Sequence, residues 1–165
     1  MRPFLIFTTV LVFSSGYAQR TYVGVGGSYV VSSAYPSTPL VSLQIGGPTA
    51  PEFGGLEARA ALDTILIFSN LSLDVFAPVS PLDAPVRLYL GGGPDIMIFA
   101  PLDQPPGEAS LPVSFGLHGT AGLELRPGAL MGGVRPFAEL QPAAAFLSGD
   151  VVYGLRARAG LNLYF

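Results

Sequence analysis

The sequence predicts an all-β fold: eight antiparallel strands, connected up-and-down and closed into a transmembrane barrel. Three observations predict it. Apolar and polar residues alternate with a period of two in eight separate runs, the pattern of strands with two unlike faces. The charged residues of each run keep to one face. After residue 18 no run offers about 18 uninterrupted apolar residues, the length a helical span needs, although half of the 165 residues are hydrophobic and only 12% are charged.

The segment before the strands reads differently. In MRPFLIFTTVLVFSSGYAQ, Arg2 is a short basic start. Phe4 to Phe13 is an apolar core too short to span a bilayer as a helix. Gly16 and Ala18 are the small residues that a signal peptidase accepts at the minus-three and minus-one positions. The expectation is a signal peptide over residues 1–18, cleaved after Ala18, with residues 19–165 as one exported domain. The chain has no Cys, which excludes disulfides, thiolate metal sites and a lipid-modified cysteine. All eight basic residues are Arg, and a net charge of −3 gives no footing for nucleic acid.

The strands follow in order. In residues 21–30, Val23, Val25 and Tyr29 alternate with Tyr22, Gly24, Gly26 and Ser28. In 40–47, Val41, Leu43 and Ile45 alternate with Ser42, Gln44 and Gly46. In 56–63, Leu56, Ala58, Ala60 and Leu62 alternate with Glu57, Arg59, Ala61 and Asp63. In 70–77, Leu71, Leu73 and Val75 alternate with Asn70, Ser72, Asp74 and Phe76. In 86–93, Val86, Leu88 and Leu90 alternate with Arg87, Tyr89 and Gly91. In 114–126, Phe115, Leu117, Ala121, Leu123 and Leu125 alternate with Gly116, His118, Thr120, Glu124 and Arg126. In 134–142, Val134, Ala138 and Leu140 alternate with Arg135, Phe137, Glu139 and Gln141. In 152–165, Leu155, Ala157, Ala159, Leu161, Leu163 and Phe165 alternate with Arg156, Arg158 and Asn162. Runs rich in Pro and Gly separate most of them.

Where a run holds several charged or His residues, the first sets the face and six others test it. All six agree, which chance gives about 1 time in 64. The apolar face meets lipid, where an Arg at the midplane costs about 2–4 kcal/mol. The sheet must close, because an open edge leaves backbone groups unpaired in hydrocarbon. The charged face is then the interior. Glu57, Arg59, Asp63, Asp74, Arg87, His118, Glu124, Arg126, Arg135, Glu139, Arg156 and Arg158 form its expected network. Buried charges persist when paired, and eight strands enclose a space that side chains just fill.

The last strand, with Leu161 and Leu163 alternating and Tyr164 before a final Phe165, resembles the assembly signal of bacterial outer-membrane β-barrels. The resemblance extends to the leader, the Gly/aromatic strands and the strand count. The nearest shape is the eight-stranded group of the OmpA transmembrane domain and OmpX. It implies residence in the bacterial outer membrane after passage through the periplasm. It also implies recognition of the last strand by the barrel-insertion machinery, with outer-membrane lipid as the surroundings. One departure stands out: the connections at 46–55, 77–85 and 127–133 are longer than that group's tight periplasmic turns, while those near 64–69 and 147–150 are short. Tyr29 and Tyr153 are expected outside, side by side at the outer boundary of the apolar band. The stretch 94–112 is read as the longest outer loop, its Met97–Ile98–Phe99 either meeting a membrane partner or extending the fifth strand.

For function, the reading is a non-catalytic structural or surface-interaction protein with a charge-plugged interior, its surface partner unidentified. The alternatives are a small channel or a lipophile-binding barrel. A third is a lipid acyl hydrolase or transferase, because some outer-membrane barrels use a His and a hydroxyl for such chemistry. His118, the single His, and Thr120 share a face, with Glu124 or Glu139 to orient the ring. The deacylase pattern, however, has Ser where Thr120 stands and points its catalytic groups towards lipid, whereas His118 points inward. The glycines of 24–27 and 90–95 open no helix and are not nucleotide loops; they make room for bulky inward side chains. No cofactor or metal is expected.

Overall fold

The computed structural model describes residues 21–33, 36–49, 55–65, 68–81, 84–99, 113–126, 133–147 and 149–165. The leader and its cleavage point lie outside the described residues. Among these residues there are eight strands: β1 (Tyr22–Ser32), β2 (Thr38–Pro48), β3 (Glu57–Ile65), β4 (Phe68–Pro78), β5 (Val86–Phe99), β6 (Val113–Leu125), β7 (Val134–Leu147) and β8 (Asp150–Tyr164). Each pairs antiparallel with the next, and β8 pairs with β1, so the sheet is a closed barrel. No helix among the described residues is long and apolar enough to cross a membrane.

The two faces follow the alternation in every strand. Phe115, Leu117 and Phe146 point out and are 61%, 65% and 63% exposed. Asp63, Ser72 and Gln141 point in and have no exposed surface. This polarity is the reverse of a soluble barrel's, and it suits a wall in contact with hydrocarbon.

The pairing registers hold without a bulge. A row of register positions starting at Tyr22 runs through Gly46, Arg59, Asp74, Gly93, His118, Ala143 and Gly154, and returns to β1 at Ser32, with the step from Asp74 to Gly93 falling in a break of the β4–β5 pairing that leaves the register unchanged. That climb along β1 is the stagger that closure demands. Four inward aromatic rings lie opposite glycines: Tyr22 with Gly46, Phe76 with Gly91, Tyr89 with Gly122 and Phe137 with Gly160. A Cβ built on Gly122 would sit 2.4 Å from the Tyr89 ring, and one on Gly46 would sit 2.5 Å from the Tyr22 hydroxyl. The glycines therefore hold the rings flat against the wall.

Residues 94–99 extend β5. Pro94 does not end the strand, but it supplies no N–H. The β4–β5 pairing is interrupted there, between Ser72–Asp95 and Val75–Gly92. Pro142 has the same effect between β6 and β7, where the gap lies between His118–Ala143 and Ala121–Leu140. The strands reach further than their alternating runs, yet the connections stay uneven. Those after β2, β4 and β6 remain longer than those after β3 and β7, where Gly149, with φ 95°, helps turn β7 into β8.

The expected Tyr29–Tyr153 contact is corrected. Both side chains are outside and exposed, on strands that pair. Tyr29, however, pairs with Ala157, and the Tyr153 carbonyl accepts from the Ser33 N–H at 3.0 Å. The two Tyr are four residues apart in register, about 13 Å along the strand. The cause is strand length: β1 and β8 start flush at Tyr22–Tyr164, but β8 has 15 residues and β1 only 11. The surplus of β8 carries Tyr153 past the end of β1.

Candidate functional site

The candidate site is the interior. The end where β1 begins and β8 finishes is called here the terminal end, and the other the far end.

At the terminal end Glu124 collects three donors from two strands, β7 and β8. Arg135 Nη1 is 3.1 Å from its Oε1. Asn162 Nδ2 and the Tyr164 hydroxyl donate to Oε2 at 3.1 and 2.5 Å. The Arg135 guanidinium lies 4.0 Å from the centre of the Tyr164 ring, a cation–π geometry. Arg87 and Glu57 form a separate pair at 2.6 Å, with Glu57 partly exposed at the rim. Arg126 is half-buried just past β6, where its backbone N–H donates to the Pro85 carbonyl.

The middle is the densest region. Arg59 Nε donates to Asp74 Oδ2 at 3.0 Å, and its Nη1 to Gln44 Oε1 at 3.0 Å and to Glu139. Its guanidinium also lies over the Phe76 ring. Glu139 further accepts from the Tyr89 hydroxyl at 2.6 Å, Gln141 at 3.1 Å and Arg158 at 3.4 Å. Asp63 faces Arg158 at 2.5 Å and Arg156 at 3.1 Å, and accepts from Ser28 at 3.0 Å. Several ion pairs of the interior join strands that are not neighbours: Arg59–Glu139 joins β3 to β7, Asp63–Arg158 joins β3 to β8 and Asp95–Arg156 joins β5 to β8. They cross the bore.

His118 lies between two carboxylates. Its Nε2 is 2.5 Å from Asp74 Oδ1, and its Nδ1 is 3.0 Å from Asp95 Oδ2. The sequence assigned the orienting role to Glu124 or Glu139. That is corrected: Glu124 belongs to the terminal end and Glu139 to Arg59 and Arg158. Register explains the choice. Asp74, Gly93 and His118 share one row, and Gly93 has no side chain to keep its flanking residues apart. Thr120 Oγ1 donates to Asp74 Oδ1 at 3.1 Å rather than to His118, so the hydroxyl is not aligned for activation by the ring. Among the described residues no group of three or more His, Asp or Glu is arranged to hold a metal.

Asp95 is the carboxylate that sequence reading left out. It also faces Arg156 Nη2 at 3.3 Å and accepts from Asn70 Nδ2 at 3.2 Å. With it, the inward carboxylates match the inward arginines. Parity carried past Pro94 finds it, since Arg87, Tyr89 and Asp95 are all odd-numbered positions of β5. Gln44, Tyr89 and Gln141 are further polar members, legible as inward positions though not as parts of the network.

Beyond Arg156, Asp95 and Asn70 the interior turns apolar. A cavity of about 300 Å³ opens towards the far end, walled by Val30, Phe68, Met97, Phe99, Ala143 and Ala145 among others. Of the four residues of the expected insertion signal, Leu161, Leu163 and Phe165 face outward and are exposed, whereas Tyr164 turns inward to Glu124.

No family model matches the chain, and no curated protein sequence does. Among the solved structures that share its fold are three small bacterial outer-membrane barrels. Neisserial surface protein A superposes with a TM-score of 0.60 at 15% identity, over 92% of this chain and 100% of that one. The N-terminal β-barrel domain of Pseudomonas aeruginosa OprF gives 0.53 at 13%, over 90% and 100%. Ail, the attachment invasion locus protein of Yersinia pestis, gives 0.50 at 16%, over 88% and 97%.

Proposed function

We propose that the chain is an outer-membrane barrel with a closed interior, serving a structural or surface-interaction role rather than conduction or catalysis. The observation that carries this reading is the set of ion pairs crossing the bore. Arg59 to Glu139, Arg158 to Asp63 and Arg156 to Asp95 join opposite walls, and contacts of that length leave no passage between them. Buried pairs of this kind are costly to break, because the charge left behind is desolvated and unmatched. The non-catalytic part is supported by Thr120 donating away from His118 and by the burial of both among ion pairs. Export by a leader cleaved after Ala18, recognition of Leu161 to Phe165 by the insertion machinery, and contact with a surface partner at the far end belong to the same proposal.

Planar-bilayer recording of the purified, refolded protein tests the closure. The expected record is bare-lipid noise. Stable single-channel steps would mean that ions pass the network, and the barrel would then be a small channel.

A further inference from the structure

We infer that the far-end cavity is a binding site for a small neutral amphiphile, a short hydrocarbon chain ending in one hydroxyl or amide donor. The inference rests on the proposed closure, which makes the ion pairs a floor instead of one section of a pore. The walls contributed by Phe68, Met97, Phe99 and Ala145 suit hydrocarbon. A volume of about 300 Å³ stands at the lower end of small-molecule sites, which favours a short chain over a whole phospholipid.

The floor decides the head group. Arg156 donates to Gln141 and faces Asp63 and Asp95, and Asp95 also faces His118. A charged head group would meet charges that are already matched. Asn70 differs. It lines the cavity and is 1% exposed. Its Nδ2 donates to Asp95 Oδ1, which fixes the orientation of the amide. Its Oδ1 is left with no hydrogen-bond partner among the described residues. A buried carbonyl without a donor is costly, and a ligand O–H or N–H removes that cost. An anion has no proton to give it.

The test uses the full chain in phospholipid nanodiscs with carbon-13 methyl-labelled methionine, and 1-octanol, octane and octanoate as probes. Met97→Leu identifies the Met97 methyl signal. The expected result is a saturable shift of that signal with 1-octanol. Octane binds about three- to tenfold more weakly, the factor one hydrogen bond supplies, and octanoate binds no better than octane. Asn70→Leu brings 1-octanol level with octane. Ala145→Phe, and independently Ala143→Leu, fill the space and abolish saturation in protein that still folds into lipid. A shift linear in 1-octanol, or one unchanged in both filled variants, would be partition into lipid and would overturn the site. Equal binding of octane and 1-octanol in the wild-type protein would overturn the head-group assignment, as would a preference for octanoate. Bilayer current with saturable binding intact would count against the closure alone, so the two failures are distinguishable.

Discussion

Asp74 accepts from Arg59 and Thr120 and faces His118 at 2.5 Å, all within a shell that solvent does not reach. Removing it leaves Arg59 and His118 without a shared partner. Asp74→Ala should therefore cost roughly 3–5 kcal/mol, the scale of breaking a buried pair. Glu57→Ala should cost less, because Glu57 sits partly exposed at the rim, although it leaves the buried Arg87 without this partner. Urea unfolding from lipid vesicles measures both, and similar small losses would mean that the interior is hydrated. Much at this scale was legible, because the charged residues of each run shared a parity. The pairing within the network was not. Which carboxylate meets His118 depends on register, and Asp95 was hidden behind Pro94, a residue that ordinarily ends a strand.

In β8, parity decides what a substitution does. Leu161 is outside and exposed, so Leu161→Arg brings a charge to the lipid face at a cost of about 2–4 kcal/mol near the midplane. Leu161→Phe, neutral and nearly as lipophilic, should stay within about 0.5 kcal/mol. The yield of folded barrel in vesicles separates the two; equal yields would mean that Leu161 does not face hydrocarbon. Asn162, although it faces inward as Arg158 does, does not accept a larger side chain freely. It donates to Glu124 and accepts from Gln44 at 2.6 Å, so a longer side chain there overpacks a filled section. The inside of β8 was readable from sequence, and how tightly it is packed was not.

For the whole molecule, strand number and topology were legible from eight alternating runs and the need to close a sheet in hydrocarbon. The height of one strand against another was not. Stagger comes from closure, and strand ends give no measure of it; Tyr29 and Tyr153 were aligned by their distance from strand ends and miss by four positions. The apolar cavity was also hidden, since it arises where inward residues of several strands meet above the ion pairs. Both the crossing ion pairs and the cavity depend on one fact, the pairing of β1 with β8 in this register. The chain has no Cys, so engineered cysteines report that pairing without background. Residues directly opposite in an antiparallel pair have Cα atoms about 4.5–5.5 Å apart, within disulfide reach. Under mild oxidation of the folded protein in vesicles, Tyr29→Cys with Ala157→Cys should cross-link, and Tyr29→Cys with Tyr153→Cys should not. Cross-linking of the second pair but not the first would contradict the register, and cross-linking of neither would contradict the closed barrel.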